Sequence, residues 1–197
     1  VTDEQLASAA GPLAGVRIAV TRAEGRGGPL ADALRATGAS VTEIPLTCIE
    51  TLDRAPLAQA LSRLVRYHWL LLTSVNAVQH VADALRASHQ TIGSLKIAVV
   101  GSATAEAAQL QGWHPTLVPE RFLAEGLVDA MAARGDVDGA RMLYPAAEGA
   151  RDVLPAGLRA LGADVDVIPV YRSAPDAEGQ ARLRSLVAAG ALDLVTV

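Results

Sequence analysis

Four places in the chain set hydroxyl, amide or charged side chains directly after a short apolar run and directly before a stretch of helical periodicity. They read Thr21-Arg22 after VRIAV, Thr73-Ser74-Val75-Asn76 after HWLLL, Gly101-Ser102-Ala103-Thr104 after KIAVV, and Ala146-Ala147-Glu148-Gly149 after RMLYP. Ser, Thr and Asn at a helix start accept hydrogen bonds from first-turn N–H groups, so each run alone is explained by capping. Four such points at the ends of strands in parallel sheets support a second reading, because ligands gather at the carboxyl ends of such strands. Helix N-termini offer unpaired N–H groups and a positive dipole end, which hold carboxylates or phosphates without any basic patch. With Arg22, these segments describe a receptor for an anion-rich small ligand.

The elements that must position them alternate. Strand-like runs fall at 16–21, 40–46, 68–73, 96–101, 115–119, 141–145, 164–171 and 192–197. Between them apolar residues recur at helical spacing, as in Val78, Val81 and Leu85, or Leu123, Leu127 and Met131. Strands that are apolar almost throughout, alternating with helices, predict an α/β fold whose parallel sheets are covered on both faces.

The chain also matches itself. Residues 15–45 and 139–169 align without gaps at an offset of 124, with 14 of 31 positions identical, among them Ala-Glu-Gly (23–25 and 147–149) and Ile-Pro (44–45 and 168–169). Convergent strand–helix patterning accounts for shared Leu and Ala, but not for those motifs in one register. The unit is duplicated. Each copy runs into an Ile-Pro strand, and proline within a strand belongs on edges or short ladders. The expectation is therefore two parallel-sheet α/β domains joined by a two-stranded hinge, with an interdomain cleft. Residues 1–39 and 174–197 form domain 1, 54–163 form domain 2, and 40–53 and 164–173 are the hinge strands.

Bulk properties remove several function classes. Hydrophobic residues make up 51% of the 197 and aromatics only 3%, which suits helices packed closely on sheets and leaves few stacking platforms for bases. The net charge of −4 comes from 17 basic and 21 acidic residues that are well mixed, so no global field attracts nucleic acid. The single Cys48 excludes an intramolecular disulfide and a cysteine zinc cluster, and the four histidines lack ligand spacing. Gly25-Arg26-Gly27-Gly28 follows a strand, but the dinucleotide and Walker A spacings are absent. No apolar run reaches bilayer-spanning length and the first residues lack signal-peptide character, so the reading is a cytoplasmic protein without a membrane partner.

The order and spacing of VTRAEG, Gly38-Ala39, Ile44-Pro45-Leu46, LLLTSVNAV, VVGSATAEA, GARMLYPAAEGARDVLPAGLRALGADV and PVYRS resemble the uroporphyrinogen-III synthase family over nearly the whole chain. That resemblance implies two α/β domains, a cofactor-free site in the cleft between them, and a monomer acting on a small molecule. The substrate it implies is hydroxymethylbilane, a linear tetrapyrrole carrying eight carboxylates. The product is uroporphyrinogen III, formed with loss of water and inversion of ring D. Tyr171 matches the family's tyrosine proposed to assist departure of the hydroxyl, and Thr104 matches its cleft threonine. Arg22, Ser74, Asn76 and Ser102 carry over as carboxylate contacts, and Val75, Gly101 and Ala103 as parts of the backbone donor loops. Metal ligands and cofactors are not expected.

One departure from the family is expected to matter. The family continues with further strands and helices of domain 1, whereas this sequence stops within LDLVTV, so domain 1 reads as incomplete at its C-terminus. The alternatives are a non-catalytic tetrapyrrole- or polyanion-binding module, with the chain forming part of a fusion protein, and a bilobal receptor for another polyanionic metabolite.

Overall fold

The computed structural model describes residues 11–22 and 28–196. In chain order its elements are β1 (Arg17–Val20), α1 (Gly28–Ala36), β2 (Ser40–Glu43), β3 (Thr47–Thr51), α2 (Ala55–Leu61), β4 (Trp69–Leu72), α3 (Val75–Ala87), β5 (Lys96–Val99), α4 (Ser102–Leu110), α5 (Ala124–Arg134), β6 (Arg141–Ala147), α6 (Val153–Ala160), β7 (Asp164–Pro175), α7 (Ala177–Ala188) and β8 (Leu194–Thr196). They fall into two compact units, Val1–Glu50 with Ser173–Val197, and Thr51–Arg172. The chain passes from one unit to the other within β3 and again within β7, which are neighbours in a sheet.

The first unit holds a three-stranded sheet of order β2-β1-β8, parallel throughout. The second holds β7-β6-β4-β5, also parallel, with β3 added at the edge beside β7. The edge strand runs opposite to β7. The Leu52 N–H bonds the Val170 carbonyl, and further along the Asp176 N–H bonds the Leu46 carbonyl. The α/β fold is as the strand–helix alternation predicted, and the antiparallel β3 makes this sheet mixed.

The duplicated unit is visible atom by atom. β1 pairs with β2 through Arg17 and Ser40, and β6 pairs with β7 through Arg141 and Asp164, every number shifted by the same 124. Both helices end on a left-handed glycine, Gly38 at φ 89° and Gly162 at φ 91°. In each copy the following residue closes the turn. The Ala39 N–H reaches the Leu34 carbonyl at 3.3 Å, and the Ala163 N–H reaches that of Leu158 at 3.1 Å. Only glycine adopts this conformation without a Cβ penalty, which is why both copies carry it at one register.

After that turn the copies part. β7 runs unbroken for 12 residues, while its counterpart is split into β2 and β3. Proline supplies no ladder donor in either copy. Opposite Ala146 and Ala147 of β6, β7 carries one extra residue, Val170, and this bulge just after Pro169 absorbs the interruption. The expected strand at 115–119 is reduced to a single bridge between Ala98 and Leu117, because prolines at both of its ends leave too few donors for a ladder.

The second unit is built around β4, whose four residues are all fully buried. Successive strand side chains point to opposite faces. Leu70 and Leu72 therefore pack with Val78, Val81, Ile97 and Leu143 beneath α2, α3 and α4. Trp69 and Leu71 pack with Leu127, Met131, Leu154 and Leu158 beneath α5 and α6. Two apolar faces are what an uninterrupted hydrophobic strand requires. No helix among the described residues is long and apolar enough to cross a membrane.

Candidate functional site

The polar segments at the ends of β4 and β5 behave as helix starts. Ser74 is the N-cap of α3, extended at φ −153° and ψ 154°, and its Oγ accepts the Ala77 N–H at 3.0 Å. That leaves the N–H groups of Val75 and Asn76 without an intrahelical acceptor. Gly101 caps α4 in the same extended conformation and contributes no side-chain acceptor. The N–H groups of Ser102, Ala103 and Thr104 are thus open at the first turn, while the Ala105 N–H already bonds the Gly101 carbonyl. Val75, Ser102 and Ala103 are exposed, and Ser74, Asn76 and Gly101 are half-buried. In the second unit these two turns present five unpaired backbone donors.

Tyr171 and Ser74 lie together. The Tyr171 hydroxyl donates to Ser74 Oγ at 3.0 Å, although 97 residues separate them. Ser74 Oγ therefore accepts two hydrogen bonds, one from the Tyr171 phenol and one from the Ala77 amide. Both of its lone pairs are engaged, so what the serine has left to give is its own O–H, which the phenol polarises. The pair is a small donor relay at the mouth of the α3 N-terminus. Tyr171 is 9% exposed and its ring belongs to the core face beneath α2, α3 and α4.

His80 completes the setting. Six residues beyond Ser74 on α3, its ring stacks on Tyr171 with centroids 5.7 Å apart and planes 10° from parallel. One helix thereby supplies both the partner of the phenol oxygen and the plate against which the phenol ring rests. Burial pushes the His80 imidazole below its ordinary range, against the opposing pull of the Asp83 carboxylate, and Arg54 adds to the lowering.

Thr104 is 6% exposed and sits in the first turn of α4, whose Ala108 packs on the same sheet face as Tyr171. Among the described residues no hydrogen bond joins it to Tyr171 or Ser74. Arg22 is exposed after β1, in the first unit. Thr21 before it is spent on structure, its hydroxyl donating to the Thr196 carbonyl at 2.9 Å. The fourth polar segment does not open a helix. Ala146 and Ala147 belong to β6, the Glu148 N–H bonds the Tyr171 carbonyl at 2.7 Å, and α6 starts only at Val153. The Gly25-Arg26-Gly27 stretch lies outside the described residues.

Sequence reasoning passed over two groups that the fold brings to this end of the sheet. Tyr144, 4% exposed in the middle of β6, shares a hydrogen bond of 3.3 Å with the Thr73 hydroxyl. His80 is one of four histidines without ligand spacing, and nothing local in the sequence marks it. Tyr144 carried one usable signal, a tyrosine within an apolar strand-like run in a chain with only three. No cluster of His, Cys, Asp and Glu able to hold a metal ion occurs among the described residues.

Comparison with known proteins shows what the chain is similar to. A family model described as Uroporphyrinogen-III synthase HemD matches residues 28–197. The chain is 37% identical over 166 residues to the uroporphyrinogen-III synthase of Synechococcus elongatus, covering 82% of this chain and 62% of that protein. It is 30% identical over 191 residues to the porphyrin biosynthesis protein HemD of Ruminiclostridium josui, covering 94% of this chain and 37% of that one. The chain thus spans less than two thirds of the length of either relative. Among solved structures, a mutant uroporphyrinogen III synthase of Thermus thermophilus aligns with a TM-score of 0.65 at 19% identity, over 92% of this chain and 71% of that one. At that identity the likeness speaks for the fold alone.

Proposed function

The chain belongs to the uroporphyrinogen-III synthase family, and from that premise we propose that the full-length protein cyclises hydroxymethylbilane to uroporphyrinogen III, as a cytoplasmic monomer and without a cofactor. The observation that carries the reading is the Tyr171–Ser74 hydroxyl pair held at the start of α3, beside a second helix start with three open N–H groups.

In this reading the substrate carboxylates are held chiefly by backbone N–H groups at 75–76 and 102–104. A chain of net charge −4 binds a polyanion through such local dipoles and not through a general field. Ser102 and Asn76 add side-chain donors, and Arg22 adds one cation. Ser74, polarised by Tyr171, hands a proton to the terminal hydroxyl as its C–O bond breaks and water leaves. The electron-rich pyrrole takes up the resulting positive charge as an azafulvene-type cation. Ring D then attacks that carbon through its substituted position, a spiro intermediate forms and fragments, and the macrocycle closes with ring D inverted and one proton released. Thr104 supplies a second hydroxyl donor. Most of the rate enhancement comes from holding the flexible chain in one reactive fold, since orientation removes a large entropic share of the barrier.

The test is to give the full-length protein freshly made hydroxymethylbilane and resolve the uroporphyrinogen isomers formed. Type III as the main product is expected. Consumption at the uncatalysed rate, giving type I only, would leave a tetrapyrrole-binding module instead.

A further inference from the structure

A second recess opens at the same end of the sheet on its other face, and the synthase reading does not use it. It encloses about 230 Å³ between the end of β4, the middle of β6 and the start of α5, with Thr73, Tyr144, Phe122, Leu123, Arg151 and Leu154 among its walls. This is below the range for pockets that enclose whole drug-sized ligands. It cannot enclose a tetrapyrrole.

Its walls divide by chemistry. Phe122 and Leu123 are 55% and 53% exposed, an unusual state for two adjacent large apolar side chains, and they form one flat side. Thr73 and Tyr144 form the polar floor. One of these hydroxyls donates to the other at 3.3 Å, so whichever is the donor, the second O–H is left without an acceptor among the described residues. Arg151 stands at the rim with its side chain 70% exposed, and its nearest acid, Glu125, is 3.8 Å away, beyond hydrogen-bond length. The guanidinium fork is available to a carboxylate. Leu123 caps α5 without any side-chain acceptor, and Glu125 is the acid of its first turn.

The recess also adjoins the donor turns. Thr73 directly precedes Ser74, and Phe122 lies against the α4 cap, where a Cβ built on Gly101 would be 3.8 Å from its Cβ and Cγ atoms. We propose that this recess is a subsite for a single pyrrole ring, stacked on Phe122 with one carboxylate side chain on Arg151 and the Thr73–Tyr144 hydroxyls. The inference rests on the synthase reading and deepens it. One ring of the linear substrate anchors here while its neighbours run past 74–76 and 101–104.

The experiment uses the full-length protein and a monopyrrole bearing one acetate and one propionate side chain, titrated calorimetrically beside its dimethyl ester. Saturable binding of the diacid is expected, weakened about fivefold by Arg151→Gln, the worth of one solvent-screened charged contact. The ester should bind more weakly and be indifferent to that change. Phe122→Ala should weaken both ligands, because it removes the shared apolar wall. Both altered side chains are more than half exposed, so the fold is retained, which circular dichroism checks. Absence of saturable binding, or diacid binding unchanged by both variants, overturns the subsite. Turnover of hydroxymethylbilane is read separately. Arg151-dependent monopyrrole binding in a protein that does not cyclise the bilane would refute the synthase reading and leave the subsite standing.

Discussion

Residues 17–43 and 141–167 are two copies of one strand–helix–strand unit, and they share pairing register, terminal glycine and closing hydrogen bond. What they carry differs. Val20 of the first copy corresponds to Tyr144 of the second, and Thr47, exposed on β3, corresponds to Tyr171, buried against Ser74 and His80. Arg17 and Arg141 occupy the same place on their strands yet choose different carboxylates, Asp193 and Asp164. Shared backbone geometry made the duplication readable. The chemistry sits where the second copy's side chains departed from the first.

The comparison breaks most severely in the core. Leu143 is fully buried, whereas its counterpart is Ala19, also fully buried. The repeated backbone thus accepts alanine in one copy. Leu143→Ala should nevertheless cost about 2–5 kcal/mol, since the surrounding Leu70 and Leu72 cannot collapse into the void. Denaturant melting should show that loss in the transition of the second unit. A cost below about 1 kcal/mol would mean that the two cores are interchangeable.

The next largest effect separates the two strand ends by function. Tyr171→Phe removes one oxygen and keeps the ring stacked on His80, so the fold should persist. Loss of a true general acid costs about 10²–10⁴-fold. The lower end or less is expected, since the serine hydroxyl remains and the leaving group departs readily from an electron-rich pyrrole. Ser74→Ala in the same background should add little, because the two hydroxyls act as one unit. Additive losses in the double variant would show two independent donors. The matching change in the first copy, Thr47→Val, should leave product formation unaltered.

Gly38→Ala and Gly162→Ala sharpen the backbone half of the comparison. Each forces a Cβ into the left-handed region, at a cost of roughly 1–2 kcal/mol. Gly162 should lose more, because its Cβ would also come within 2.1 Å of the Asp138 carboxylate, while at Gly38 the nearest atom is 3.3 Å away. Thermal melts of the two variants read the difference directly.

The smallest effect concerns the arginine partners. The Arg17 guanidinium holds the Asp193 carboxyl at about 2, below its ordinary 3.8, through a side-chain hydrogen bond and the Arg17 backbone N–H. A depressed carboxylate favours the folded state above its unfolded pKa, and that contribution fades as pH falls from about 4 to about 2. Asp193→Asn should therefore flatten the acid limb of the first unit's stability in that window and change little at neutral pH. An unaltered acid limb would mean that the exposed pair contributes nothing.

The sequence by itself determined the class of fold, the repeat and its register, and the two helix starts at Ser74 and Gly101. All of these depend on local patterns: alternation of apolar runs, capping residues beside them, and glycine at the left-handed turns that close both copies of the repeat. Tyr171 and Thr104 were reached through motif resemblance, and no local pattern distinguished them. The tertiary structure decided what local chemistry cannot encode. It set Tyr171 against Ser74 across 97 residues, laid His80 on the phenol, joined Thr73 to Tyr144, and spent Thr21 and Glu148 on the ladder instead of on a ligand. A hydroxyl at a strand end is either a cap, a ladder partner or a free donor, depending on which other segment arrives opposite it. That is fixed by sheet order and by the bulge in β7, and these depend on contacts between residues far apart in the chain.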